Sequence, residues 1–204
     1  KGAVSYNFFM TPPRIAKELH SVMQIDTTSG LIRGASYVAS PNCDARPEGA
    51  PIDILVIHSI SLPPGRFGGR GIEQLFCNTL NPDDHPYYRE IQNLKVSTHV
   101  LIRRNGQLVQ FVPLHRRAWH AGLSYCEGRS CINDFSVGVE LEGADDLPFE
   151  DAQYESLTKL THALRQAYPA ITPERIYGHC DIAPGRKTDP GPTFDWKRYL
   201  DTCA

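Results

Sequence analysis

Apolar and polar positions follow two periods along this chain, one close to 2 and one close to 3.6. Residues 52–57 (Ile-Asp-Ile-Leu-Val-Ile) form a nearly continuous apolar run, as expected of a central strand covered on both faces. The run ends at His58, and Ser61-Leu-Pro-Pro-Gly65 then breaks regular structure. Ile72, Leu75 and Phe76 are spaced for a short helix that Asn81-Pro82 would end. Residues 96–103 and 107–112 read as strands on either side of Asn105-Gly106, and Asn-Gly between such runs is a strong hairpin signal. Residues 136–141 alternate and predict another strand. The helical period is clearest over 151–168, where Tyr154, Leu157, Leu160, Leu164 and Tyr168 make a buried stripe and Glu155, Lys159 and Arg165 face water. Pro169 stops that helix, and residues 194–200 predict a final short one after the Pro190-Gly-Pro192 turn. The mixture predicts an α/β fold, a central mixed β-sheet flanked by helices.

Residues 1–22 stand apart. Thr11-Pro-Pro can open a short helix, with Ile15, Leu19 and Val22 on one face, but a helix that short is marginal alone. The segment reads as an N-terminal extension, disordered or an added remnant, ahead of one domain over residues 23–204.

Composition narrows the class. With 41 % hydrophobic and 22 % charged residues in 204, wholesale disorder is excluded. No run approaches the ~18 apolar residues of a membrane span. Lys plus Arg (21) nearly balance Asp plus Glu (23), for a net charge of −2, which argues against a nucleic-acid binder. Neither nucleic acid nor membrane is therefore an expected partner, and the chain is expected to be a monomer. The six cysteines, Cys43, Cys77, Cys126, Cys131, Cys180 and Cys203, are too sparse for a disulfide scaffold and include no CxxC. Cys126 and Cys131 are near enough in sequence to bridge a loop, but reduced thiols in a cytoplasmic protein are the preferred reading. The first 28 residues agree, since they carry no apolar stretch followed by a small-residue cleavage site.

Eight histidines are present. His20, His85, His115 and His162 lie in polar or loop contexts and read as surface residues, and His99 reads as a packed, hydrogen-bonded group within a strand. His58 and His179 each sit where an apolar element gives way to a Pro/Gly-rich loop, the kind of place where catalytic groups concentrate. The segment from Gly178 to Gly191 holds His179, Cys180, two carboxylates and Lys187, and is too rich in Pro and Gly for a regular helix. If it is locally extended there, Lys187 and Asp189 point the same way; from this segment alone a solvated loop with a surface ion pair is the preferred reading. Glu140 and Glu142 lie on one face of their strand, away from Val137, Val139 and Leu141, as either a general base beside a metal or a plain solvent-facing edge. Trp119 and His120, set among small residues, suit a wall for a carbohydrate or peptide or an aromatic core contact. His58, His179 and Asp189 together make a two-histidine, one-carboxylate set of the kind that holds catalytic zinc with one position open. The two histidines are 121 residues apart, so spacing alone does not bring them together.

At these residues the sequence resembles the AmpD-type N-acetylmuramyl-L-alanine amidases, zinc enzymes of cell-wall recycling within the wider type 2 amidase and peptidoglycan-recognition-protein fold. The resemblance rests on Ile57-His-Ser-Ile-Ser-Leu-Pro-Pro-Gly65, Arg117-Ala-Trp-His-Ala-Gly122, Asn133-Asp-Phe-Ser136, Val139-Glu-Leu-Glu-Gly143, Gly178-His-Cys-Asp-Ile-Ala-Pro184 and Arg186-Lys-Thr-Asp-Pro-Gly191. It runs from about Gly30 to Leu200 in order. It implies a groove over one face of the sheet, Zn2+ held by His58, His179 and Asp189, Glu140 as the water-activating base and Lys187 at the oxyanion. The implied substrate is an anhydro-muropeptide, cut at the amide between the lactyl group of 1,6-anhydro-N-acetylmuramic acid and L-alanine. Ser59, Lys95, Trp119 and His120 are the implied substrate contacts. Two positions depart from the family pattern: Ser59 stands where most relatives carry Asn, and Lys95 where relatives often carry Arg. Both bear on fine specificity and neither on the metal set.

Three rivals compete with a cytoplasmic recycling amidase. A non-catalytic recognition module on the same fold would typically lack part of the zinc set. The bacteriophage-lysozyme type, which also binds RNA polymerase, resembles a His-His-Cys site, against which Asp189 argues. A periplasmic amidase acting on polymeric wall would be favoured only by an export signal or by activity on intact sacculi.

Overall fold

The computed structural model describes residues 23–203, so the extension expected over residues 1–22 lies outside the described residues. Six strands form the central sheet: β1 (Ser36–Tyr37), β2 (Ile54–Ile60), β3 (Val100–Ile102), β4 (Leu108–Gln110), β5 (Ser136–Glu142) and β6 (Ile176–Gly178). Their spatial order is β6-β2-β5-β3-β4-β1. All neighbours are parallel except the β3–β4 hairpin. The expected mixed sheet is therefore present, and its middle is the parallel pair β2–β5.

Each strand follows from its local chemistry. Burial is complete from Ile54 to Ile57, as the continuous apolar run requires. The strand nevertheless continues through His58, Ser59 and Ile60, so His58 lies within β2 and not just beyond it. The reason is pairing: Glu140, Leu141 and Glu142 of β5 stand opposite these three residues. The hairpin turns at Gly106, where φ is +82° and the Gly106 amide donates to the Arg103 carbonyl at 2.8 Å. A residue with a Cβ is strained in that conformation.

Helices cover both faces. Five are present among the described residues: α1 (Gly71–Phe76), α2 (Pro86–Ile91), α3 (Asp151–Ala167), the single turn α4 (His179–Ile182) and α5 (Trp196–Cys203). On one face Leu55, Ile57, Val137, Val139 and Leu141 pack against Leu157, Leu160 and Leu164 of α3 and Tyr199 and Cys203 of α5. On the other face, Leu101 and Val109 meet Ile72, Leu75 and Phe76 of α1 and Tyr88 and Ile91 of α2. Ile54 and Val56 meet Ile132 and Ile182 in a third, smaller cluster. Between the last two clusters the second face is left to polar side chains.

Several expectations need correction. The helix at Ile72 ends at Phe76, well before Asn81-Pro82, because the chain reverses at Asn78, whose φ is +59°. The final helix starts and ends later than residues 194–200. One helical turn forms inside the Pro/Gly-rich segment, since the Asp181 carboxylate accepts the Gly178 amide at 2.7 Å and caps it. Glu142 is not solvent-facing: it is 2 % exposed and accepts from Arg103 at 2.9 Å and from the Gly68 amide at 2.7 Å. All six cysteines are free thiols. No helix of the described residues is long and apolar enough to cross a membrane.

The start of α3 is tied to the sheet by one buried amide. Gln153 Nε2 donates to the carbonyls of Ile102 (3.3 Å) and Glu142 (3.0 Å), and its Oε1 accepts the Glu150 amide at 3.1 Å. Gln153→Leu removes all three of these buried hydrogen bonds, at about 2 kcal/mol or more. Urea unfolding is expected to show that loss as a lower midpoint; an unchanged midpoint would mean the link contributes nothing.

Candidate active site

Parallel pairing of β2 and β5 sets His58 directly opposite Glu140, and the alternation of side chains puts both on the face away from α3. Strand β6 pairs with the other edge of β2 and ends at Gly178, so α4 begins with His179 beside His58. The loop after α4 folds back until the Asp189 carbonyl accepts the Cys180 amide at 2.9 Å, which holds the Asp189 side chain next to His179. His58 Nδ1, His179 Nδ1 and Asp189 Oδ2 thus approach one another to 3.0–3.1 Å.

Hydrogen-bond chemistry fixes which atoms carry protons. His179 Nε2 faces the Ala121 carbonyl at 3.1 Å. A carbonyl only accepts, so the proton is on Nε2 and the lone pair is on Nδ1. His58 Nε2 faces His120 Nδ1 at 2.9 Å, and His120 Nε2 faces Ser136 Oγ at 3.0 Å. The Ser136 hydroxyl donates to the Ile132 carbonyl at 2.7 Å, so its oxygen accepts from His120 Nε2–H. His120 Nδ1 is then an acceptor and takes the His58 Nε2–H, which leaves a lone pair on His58 Nδ1 as well.

Electrostatics agree with neutral imidazoles. Burial pushes the His58 imidazole down to about 4, with Asp189 opposing that shift, and pushes His120 well below the usual range with help from His58, His99 and His179. Two lone pairs and a carboxylate oxygen therefore meet with no proton between them. Such an arrangement is repulsive unless a cation occupies it, and this His-His-Asp donor set can hold a metal ion.

Beside these donors lies a cleft of about 330 Å³ lined by His58, Ser59, Glu140, His179, Lys187 and Asp189, with an apolar wall that includes Phe76 and Leu94. As a residue Glu140 is partly exposed, yet its Oε2 is buried with no hydrogen-bond partner among the described residues. Burial lifts the Glu140 carboxyl well above the usual range; Asp189 adds to that and Lys187 opposes it. Lys187 and Asp189 share the cleft but form no ion pair with each other among the described residues, so the surface-pair alternative is not what the loop adopts.

Other residues singled out in the sequence fall elsewhere. Trp119 does not line the cleft; its amide donates to Ser97 Oγ at 3.0 Å and its carbonyl accepts the Ser97 amide. Lys95 is exposed between Leu94 and Val96 at the rim. His120 borders the cleft, but both its ring nitrogens are engaged within the protein. His99 is fully buried and accepts the Gly138 amide on Nδ1 at 3.0 Å while Nε2–H donates to the Arg116 carbonyl at 3.0 Å, as a packed histidine should. His85 caps α2 by accepting the Tyr87 amide, and His115 and His162 are exposed.

Sequence reasoning missed the supports. Asn133 Oδ1 accepts the amides of His120 (3.1 Å) and Ala121 (2.8 Å). Arg46 holds that segment from below, donating to the carbonyls of Leu114, Asn133, Asp134 and Ser136; burial pushes its guanidinium down to about 10. Arg186 donates to the Ala121 carbonyl at 2.7 Å. The signal for Ser136 was its place as the first residue of an apolar strand, on the face that also carries Glu140.

Comparison with known proteins identifies the family. The N-acetylmuramoyl-L-alanine amidase family model, Amidase_2, matches residues 48–192. The chain is 54 % identical over 170 residues to the 1,6-anhydro-N-acetylmuramyl-L-alanine amidase AmpD of Escherichia coli K12, covering 83 % of this chain and 92 % of that one. A crystal structure of a selenomethionine AmpD derivative superposes with a TM-score of 0.86 at 51 % identity, over 89 % of this chain and all of the other. A complex of the E. coli amidase AmiD with the substrate anhydro-N-acetylmuramic acid-L-Ala-D-γ-Glu-L-Lys is similar at 31 % identity and a TM-score of 0.54, over 77 % of this chain and 60 % of that one. On its fold, its ordered motifs and these relatives, the chain belongs to the AmpD-type N-acetylmuramoyl-L-alanine amidases.

Proposed function

We propose that this chain is a zinc-dependent hydrolase of the amide between the lactyl group of 1,6-anhydro-N-acetylmuramic acid and L-alanine of the stem peptide, acting in peptidoglycan recycling in the cytoplasm. The observation that carries the reading is the convergence of His58 Nδ1, His179 Nδ1 and Asp189 Oδ2 beside the unpartnered Oε2 of Glu140. The substrate class is supported by the relative named for this amide bond and by the relative complexed with an anhydro-muramyl tripeptide. Six free thiols support a reducing compartment.

An amide resists hydrolysis because its carbonyl is a poor electrophile and its nitrogen a poor leaving group. Bound by the two imidazoles and the carboxylate, Zn2+ supplies Lewis-acid polarisation and makes water more acidic. Glu140 takes a proton from the attacking water and passes one to the departing alanine nitrogen; its raised proton affinity suits both steps. Lys187, at the cleft lining, stabilises negative charge as it develops on the carbonyl oxygen, a role worth roughly 3–4 kcal/mol where such donors have been removed. The wall that contains Phe76 and Leu94 faces the apolar parts of the ligand. Ser59, within reach of Asp145 at 3.4 Å, and Lys95 at the rim contact its polar groups. A module that only binds has no use for an unpartnered carboxylate beside three metal donors, and this favours the enzyme.

Mass spectrometry of a soluble anhydro-muropeptide incubated with the purified chain is expected to show free stem peptide, lost on chelation and restored by Zn2+. Ligand bound but uncleaved in the presence of Zn2+ would instead establish a recognition module. Separately, Glu140→Ala is expected to keep zinc and lose at least about 100-fold in turnover, whereas Asp189→Ala loses both. Zinc content by atomic emission beside a turnover assay checks this, and unchanged hydrolysis in Glu140→Ala would remove Glu140 from the mechanism.

A further inference from the structure

The two metal-facing histidines reach their tautomers by different routes. His179 needs only the Ala121 carbonyl, an acceptor that cannot do otherwise. His58 has no carbonyl or carboxylate behind it. Its Nε2 meets another imidazole, His120, which can donate or accept according to its own tautomer. That ambiguity is removed two bonds further on, where Ser136 commits its only proton to the Ile132 carbonyl.

We propose that His120, locked by Ser136, is a positioning residue that holds His58 in its Nε2–H tautomer and so presents the Nδ1 lone pair to the metal. The proposal rests on the metal reading given above and adds to it a proton-ordered chain, His58–His120–Ser136–Ile132. The surroundings are built for it. His120 is 9 % exposed and Ser136 is fully buried, so water does not compete for these bonds. The His120 ring lies so close to β5 that a Cβ at Gly138 would come within 2.5 Å of it, and the two imidazoles meet nearly at right angles, at 88°. The backbone of His120 is pinned by Asn133 Oδ1. Ring, backbone and both nitrogens are thus fixed, which a residue waiting for a ligand would not need. Partners behind a metal-bound histidine generally set its tautomer and orientation, and their loss costs about 10- to 100-fold in metal affinity.

Two readouts test this without using turnover. Long-range proton–nitrogen NMR of the imidazoles in the metal-free protein is expected to show His58 protonated on Nε2 and His120 protonated on Nε2. Zn2+ affinity, measured by competition with a chromophoric chelator, is expected to fall about 10- to 100-fold in His120→Leu and to stay within a few-fold of the original in His120→Asn. The asparagine oxygen can take the place of Nδ1 as acceptor, whereas a merely space-filling role would favour leucine. Ser136→Ala, which removes one buried hydroxyl and little volume, covers the case in which His120→Leu fails to fold. It frees His120 to protonate Nδ1, so His58 is expected to shift toward Nδ1–H and Zn2+ binding to weaken. A His58 found protonated on Nδ1 in the original protein, or Zn2+ bound equally tightly by folded His120→Leu or Ser136→Ala, would overturn the proposal. Failure of the original protein to bind Zn2+ would overturn the metal reading, while the tautomer spectrum would still judge the relay.

Discussion

Everything about the site depends on the parallel register of β2 against β5. The pairing runs unbroken from Ile54 opposite Ser136 to Ile60 opposite Glu142. A slip of one residue would exchange the faces of every side chain. Leu55, Ile57, Val137 and Val139, all fully buried, would then lose their packing against α3 and α5, while His58 and Glu140 would be driven into that core. The apolar contacts on one face therefore enforce the chemistry on the other. Because β6 pairs with β2 in the same sense, the same register also decides where α4 starts, and with it the place of His179.

Burying His58, His99, His120 and His179 side by side would be costly without complete hydrogen bonding. The fold meets the cost nitrogen by nitrogen: carbonyls of Arg116 and Ala121, the Gly138 amide and the Ser136 hydroxyl each satisfy one position. Only two ring nitrogens are left facing each other, and Asp189 closes the triangle. The open valence of the site is thus a remainder of an otherwise satisfied network. Arg46 serves the same network by drawing four carbonyls around its guanidinium, which holds residues 133–136 where Asn133 and Ser136 are needed.

Much of this could be read from the chain, because the strongest signals are local. The apolar run at 52–57, the Asn105-Gly106 turn and the stripe from Tyr154 to Leu164 each describe a few consecutive residues and their own backbone. The His-His-Asp cluster was legible only through ordered motifs, since His58 and His179 meet through strand pairing that no spacing encodes. Three kinds of feature were not legible. Strand β2 continues past the apolar run because its partner does, a property of β5 and not of residues 58–60. Glu142 is buried because Arg103, just past the end of β3, neutralises it. His120 could be placed beside small residues, yet whether it faces a ligand or backs a metal donor depends on where Ser136 sends its proton.

Two imidazole nitrogens and one carboxylate oxygen are expected to hold zinc while all six cysteines stay out of the site. X-ray absorption at the zinc edge of the purified, zinc-loaded protein tests this most directly. A first shell of nitrogen and oxygen at about 2.0–2.1 Å with the outer scattering of two imidazoles is expected. A sulfur shell at about 2.3 Å, or no stoichiometric zinc at all, would contradict it.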